Sequence, residues 1–309
     1  MKLKRAATTL FLLALIGLGF VWVAASVVAR PINRPVSQPA PPGRVVHMQA
    51  ADGVPIEGSY WPGRTADAPA ILLLHGVNNN RNIFRRQIDW LSGLGYAVLA
   101  IDFRGHGGSG AVQRSFGWRE AMDARAAYDF LRREAPRRRV GVIGVSLGGA
   151  AALLGENGPL PADAMVLHAV YPDLRTAIAN RLARSGSTTL AAWSEPLLSY
   201  QAYPRYRVAP ERIAPREGIR NFEGAVLVIG GTADLDTTVA DTRSLYAAAP
   251  SPKSLWLVDG ANHVETSKLW TDEYRTRVRC FFHRTLGEPG GIDPLRQPLG
   301  APCATSPSS

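Results

Sequence analysis

A β-branched run, Val140 to Val145, stops at Gly144-Val145-Ser146-Leu147-Gly148, and small apolar residues suited to a helix follow at once. The chain must pass from strand to helix within about two residues. Such a turn strains the backbone of its central residue and lifts the serine hydroxyl above the end of a sheet. Side chains two positions before and two after would collide, which explains glycine at 144 and 148. The amide of Leu147, first in the helix, is left where an oxyanion can accept from it. A bare G-x-S-x-G arises easily by chance in a chain with 30 glycines. The strand before it and the helix after it give this one meaning, and the rest of the chain has to supply partners.

The chain has 309 residues, 46% of them hydrophobic, enough for one large α/β domain with appendages. Its net charge is +10. Clusters such as Arg85-Arg86 and Arg137-Arg138-Arg139 are spread among acids and form no single basic tract, so a membrane surface suits the charge better than a nucleic acid. Lys2, Lys4 and Arg5 precede an uncharged stretch, Ala6 to Ala29, that is almost wholly apolar from Leu10. Such a run can cross a hydrocarbon core of roughly 30 Å and is long for a cleaved signal. Residues 1–29 are expected to be an anchor, with cleavage near the small residues Ala25 and Ala29 as the alternative. The basic start predicts a cytoplasmic N-terminus and a domain outside the cytoplasm, membrane-anchored or secreted, although Arg30 and Arg34 weaken that orientation. In that compartment Cys280 and Cys303 are expected to pair rather than stand as unrelated thiols.

Residues 30–43, with five prolines, read as a semi-extended linker, 44–287 as the folded domain, and 288–309 as an irregular tail. Within the domain, Val45–Gln49 and Ile56–Trp61 flank Ala51-Asp52-Gly53 as a hairpin. Buried strands are expected at Ile71–His75, Tyr96–Asp102, Val140–Val145, Ala164–Val170, Ala225–Gly230 and Ser254–Val258. Helices are expected at Arg81–Ser92, Trp118–Arg133 and Glu265–Leu286. The alternation predicts an α/β fold with a mostly parallel central sheet flanked by helices. Residues 171–222 break this rhythm with prolines and aromatics. A structureless loop of that length is improbable, so a helical cap inserted over the strand ends is expected.

Ser146 needs a base and an acid in the chain order Ser…Asp…His. Asp234 follows the strand Ala225–Gly230, and His263 follows the last strand, both at the sheet edge where sites form in such folds. Asp236 and Asp173 are alternatives for the acid. The second oxyanion donor is expected from the Val77 amide, with Gly76 letting the backbone bend toward Ser146. His75 reads as a brace for that loop. Asp102, Arg104 and His106 read as one structural hydrogen-bond cluster. No metal-ligand spacing, phosphate loop or dinucleotide motif is present, so neither cofactor nor metal is expected.

In this order, Ala51-Asp52-Gly53, His75-Gly76, the Asp102–Ser109 loop, Gly144–Gly148, and the loops of Asp234 and His263 resemble the α/β-hydrolase superfamily over residues 45–286. The serine at 146 looks like the esterase- and peptidase-like serine hydrolase branches rather than the dehalogenases. The resemblance implies hydrolysis of a small-molecule ester, thioester or amide through an acyl-enzyme. A carboxylesterase is expected. A serine peptidase or acyltransferase on the same residues is the alternative, and a non-catalytic membrane-associated binding module the rival from another class. Trp193, Leu197, Leu198, Tyr200, Tyr203 and Tyr206 would either shape an apolar acyl site or form the core of the cap.

Overall fold

Five of the expected strands are apolar without alternation, the pattern of strands covered on both faces. In the computed structural model they line up side by side. The structure describes residues 2–184, 188–263, 270–287 and 289. An eight-stranded sheet has the order β1-β2-β4-β3-β5-β6-β7-β8. Its strands are β1 (Arg44–Gln49), β2 (Pro55–Trp61), β3 (Ala70–Leu74), β4 (Ala97–Ile101), β5 (Val140–Val145), β6 (Ala164–His168), β7 (Ala225–Gly231) and β8 (Lys253–Val258). The hairpin β1–β2 and its junction with β4 are antiparallel, and every pairing from β4 to β8 is parallel. This is the α/β-hydrolase fold.

An N-terminal helix α1 (Lys2–Ala29) precedes the sheet. Its mean hydropathy over the apolar stretch is 2.5, and it is long enough to be a signal anchor or a signal peptide. One face of the sheet is covered by α2 (Arg85–Leu94) and, at the C-terminal end of the domain, by the helix Asp272–Leu286, through Ile88, Leu91, Val278 and Phe282. The other face is covered by α3 (Glu120–Glu134) and α4 (Leu147–Leu153) through Ala124, Ala127, Leu131 and Leu153. Between β6 and β7 lie α5 (Leu174–Ala183), α6 (Thr188–Ser199), α7 (Ala202–Tyr206) and α8 (Pro215–Gly218); α9 (Val239–Ala248) links β7 to β8, and α10 is the helix Asp272–Leu286.

The last helix begins at Asp272 rather than Glu265, because the Thr271 side chain accepts from the Tyr274 amide and caps it there. Residues 264–269 and Cys303 lie outside the described residues, so the Cys280–Cys303 pairing does too. The 30–43 stretch does not hang free at its start. The Ile32 amide donates to the Gly105 carbonyl at 2.7 Å, and the Asn33 side chain donates to the carbonyls of His106, Gly107 and Ser109.

The expected Asp102–Arg104–His106 cluster is divided differently. Asp102 accepts from the Arg81 guanidinium and the Arg81 amide, and Arg81 also reaches Glu57 and Ser59. Arg104 instead joins Asp123 of α3, at 2.6 Å, to Asp52 of the hairpin turn, at 2.5 Å. The chain leaves β4 at Ile101 and turns through irregular backbone, so Asp102 and Arg104 reach different neighbours and one loop supplies two separate buried networks.

Four of the six expected cap residues face solvent. Trp193 is 78% exposed, Leu197 47%, Tyr200 51% and Tyr203 59%. Helix α6 turns its small and polar residues Ala191, Glu195 and Ser199 inward, one turn apart. Glu195 pairs there with Arg175 of α5 at 2.8 Å. Leu198 is half-buried, and Tyr206 is buried with its hydroxyl donating to the Arg114 carbonyl at 2.7 Å.

Burial alone holds His168 neutral, its pKa lowered to about 4, and burial is the largest cause lowering His75 to about 3. Both imidazoles take up a proton near pH 6.5 in the unfolded chain and only well below that in the fold. The unfolded state then binds more protons, so their contribution is complete above about pH 6.5 and is lost as pH falls toward 4 and then 3. Between pH 8 and pH 5 each histidine should remove about 2 kcal/mol of stability. Chemical unfolding in mild detergent at the two pH values is expected to show this fall, and His168→Leu to remove about half of it.

Candidate active site

Ser146 is the hinge between β5 and α4. Its φ of 50° and ψ of −110° lie outside the regular regions for an L-residue. The Ser146 amide donates to the His168 carbonyl at 2.8 Å, which fixes the turn on the end of β6. A Cβ at Gly148 would fall on the Leu74 carbonyl, and one at Gly144 would lie 2.6 Å from Gly149 Cα. Both glycines are therefore required by close backbone approach.

His263 follows β8 in a loop laced to the loop after β7. The Thr232 hydroxyl donates to Asp259 at 3.0 Å and accepts from the Gly260 amide at 2.7 Å, while the Ala233 amide donates to the Ala261 carbonyl at 3.1 Å. This brings His263 Nε2 to 3.2 Å from Ser146 Oγ and His263 Nδ1 to 2.8 Å from Asp234 Oδ2. The other carboxylate oxygen of Asp234 accepts from the amides of Asp236 and Thr237, each at 2.8 Å. A carboxylate facing Nδ1 makes that nitrogen the donor and leaves Nε2 free to accept from the serine hydroxyl. Asp236 instead pairs with Arg184 at 2.9 Å, and Asp173 caps α5 through the Thr176 amide at 2.8 Å. Neither of those two acids is joined to His263.

Leu147 opens α4, so its amide has no partner within the helix. Val77 is half-buried in the loop after β3. A Cβ built at Gly76 would stand 3.7 Å from Ser146 Cβ, which places this loop against the serine. That is ordinary contact distance, so Gly76 is not sterically obligatory. The left-handed backbone that turns the loop falls on Asn78, with φ 64°. His75 Nε2 accepts from the Phe103 amide at 3.1 Å, so its Nδ1 donates to the Gly76 carbonyl at 2.8 Å.

Arg114 carried no signal in the sequence. Its buried guanidinium donates to Asn78 Oδ1 at 2.7 Å and to the Val28 carbonyl at the end of α1. Nothing local marks a lone arginine in a loop as a bridge between elements so distant in the chain. Among the described residues, no three histidines, cysteines or acids gather as a metal set. A cavity of about 400 Å³ between Gln49, Trp118, Met122 and Leu160 shares no residue with the cluster around Ser146.

A strained serine, a histidine and a buried carboxylate in one hydrogen-bonded line, on a sheet of this order, decide the family. The chain belongs to the α/β-hydrolase superfamily. The family described as serine aminopeptidase, S33, matches residues 66–217. An uncharacterised protein of Mycobacterium tuberculosis, Rv2307c, is 30% identical over 295 residues, covering 92% of this chain and 98% of that protein. The structure is similar to the Pyrococcus furiosus esterase Pf2001, with TM-score 0.65 and 23% identity over 84% of this chain and 100% of that one. It is also similar to the Pyrococcus horikoshii acylaminoacyl peptidase, with TM-score 0.61 and 17% identity over 81% of this chain and 43% of that one. The family match supports a hydrolase of the serine type, and the two structures share its fold.

Gly148→Ala should force α4 away from β3 and displace Ser146. Labelling of Ser146 by a fluorophosphonate probe is expected to slow about 100-fold, as misplacement by about 1 Å does in such sites. Gly76→Ala should label at close to the wild-type rate. The two rates, measured side by side, check the assignment of the steric constraint.

Proposed function

We propose that the chain is a membrane-anchored serine hydrolase that cleaves carboxylic esters through an acyl-enzyme. The observation that carries this reading is the unbroken line Ser146 Oγ–His263 Nε2, His263 Nδ1–Asp234 Oδ2, at 3.2 and 2.8 Å. His263 takes the proton of Ser146 as the hydroxyl attacks the acyl carbonyl. The negative oxygen then forms in front of the Leu147 and Val77 amides. His263 returns its proton to the leaving alcohol. Water, activated by the same imidazole, then releases the acid and restores the serine. Asp234 holds the tautomer and stabilises the imidazolium, and the amides of Asp236 and Thr237 hold its carboxylate in place, each at 2.8 Å. No cofactor takes part in these steps.

Amide cleavage is the second reading, favoured by the match to the serine aminopeptidase family. The same relay would protonate a leaving amine. The length and apolarity of α1 support an anchor, and Lys2, Lys4 and Arg5 at its start support a domain on the extracytoplasmic side.

The wild-type protein is expected to label with a fluorophosphonate and Ser146→Ala to remain unlabelled. Asp234→Asn should lower kcat by about 10⁴, since the amide favours the wrong tautomer. Asp173→Asn and Asp236→Asn should stay within a few-fold of wild type, because neither acid meets His263. Turnover on matched esters, thioesters and aminoacyl amides separates esterase from peptidase. Absence of Ser146-dependent labelling would refute the hydrolase reading.

A further inference from the structure

We propose that the outer face of α6 and α7 is a bilayer-docking surface, seated in the headgroup layer where α1 leaves the membrane. We further infer that the acyl substrate is an amphiphile taken from that leaflet. The second statement rests on the hydrolase reading, and the first does not.

Trp193, Leu197, Tyr200 and Tyr203 recur at helical spacing and are all exposed. Three aromatic rings and a leucine in one exposed stripe are unusual on a surface that meets only water. Tryptophan and tyrosine suit a membrane boundary, where a ring can be apolar at one end and wet at the other. The stripe lies beside α1. Arg205 donates to the Trp22 carbonyl and to Ser26 Oγ, each at 2.8 Å, and its guanidinium stands 3.8 Å from the centre of the Trp22 ring. The Gln201 side chain donates to the Val21 carbonyl at 3.3 Å. These contacts set the height of the cap along α1. From Ala6 to Trp22 the helix rises about 25 Å, close to the shortest stretch that crosses a hydrocarbon core. The boundary of the bilayer then falls at Trp22, and α6 and α7 stand at the same level.

Charge points the same way. Residues 174–212 hold six arginines and two glutamates. Both glutamates are engaged, Glu195 by Arg175 at 2.8 Å and Glu211 by the Tyr200 hydroxyl at 2.7 Å. The surplus of positive charge suits anionic headgroups. The route to the serine is short. Arg114 ties the end of α1 to Asn78, next to Val77, and its carbonyl accepts from Tyr206 of α7. The end of α1, the cap and the oxyanion loop therefore meet at one residue, about 9 Å beyond Trp22 along the helix. An ester at the junction of headgroup and acyl chain would lie near Trp22 and rise by about that distance to reach the serine.

Full-length protein in vesicles of phosphatidylcholine and phosphatidylglycerol, with a trace of phospholipid carrying an acyl-chain diazirine, tests the docking. Illumination is expected to attach lipid to peptides within 188–207 as well as to α1. Lipid on α1 alone would overturn the proposal, including the case in which a second copy of the chain covers the stripe. Hydrolysis of a soluble short-chain ester is then compared with that of a long-chain ester embedded in the vesicles. In the variant carrying Trp193→Ser, Leu197→Ser, Tyr200→Ser and Tyr203→Ser, the ratio of embedded to soluble rates should fall about tenfold or more. An unchanged ratio would overturn the substrate class. Fluorophosphonate labelling of the same samples shows that the variant is folded. Absence of that label from wild type would sink the hydrolase reading, while the lipid mapping would still decide the docking.

Discussion

The site depends on how closely two backbones approach. Helix α4 starts so near the end of β3 that only hydrogen fits between Gly148 and the Leu74 carbonyl. That contact lets β5 turn into α4 in a single residue, and the strain of the turn is concentrated on Ser146. Regular sheet surrounds the strained residue on both sides, with β3 and β6 paired to β5 in parallel register. The strain persists because the fully buried strands beneath it cannot relax. Everything else in the site is arranged around a hydroxyl whose position is already fixed.

Two loops that follow different strands supply the other groups, and they are held to each other before they are held to the serine. The bonds between Thr232, Asp259, Gly260, Ala233 and Ala261 make a joint between the ends of β7 and β8. The imidazole of His263 then spans from that joint to the elbow. Placing the Asp234 carboxylate and the His263 imidazole on one laced unit means that a shift of the unit moves them together and keeps the Nδ1–carboxylate bond. The longer contact, between Nε2 and Oγ, is the one left to tighten when substrate arrives.

The strands and the turn at Ser146 were legible because they follow from local rules. Fully apolar runs of five or six residues give two-sided burial, and a glycine on each side of a serine between strand and helix gives the elbow. Chain order brought Asp234 and His263 forward, although Asp236 and Asp173 stayed open. Separating them needed distances, since all three acids stand near strand ends and only Asp234 reaches the ring. The pairing of Asp102 with Arg81, and of Arg104 with Asp123 and Asp52, was not legible because charge partners on different elements leave no mark in spacing. Gly76 attracted a role that belongs to Asn78, whose positive φ is one that asparagine tolerates without glycine's permissiveness. The cap residues were expected to shape an acyl site or to form the cap's core, and Tyr206 is buried while Trp193, Leu197, Tyr200 and Tyr203 face solvent. The positions of Ala191, Glu195 and Ser199, one turn apart, decide which side of α6 is inward.

Arg114 changes what the first helix is to this protein. The last carbonyls of α1 face a buried guanidinium that also grips the loop beside the serine, and cations suit that end of a helix. The Arg114 amide is bound to the Ala29 carbonyl as well, at 2.9 Å. The final residues of this helix are structural parts of the folded domain. Cutting after Ala25 would spare those carbonyls. Cutting after Ala29 would strip acceptors from a buried cation, at a cost of about 1–3 kcal/mol for each unsatisfied group. Loss of those carbonyls would thus be felt at the loop beside Ser146, and the folded domain takes in the last residues of α1.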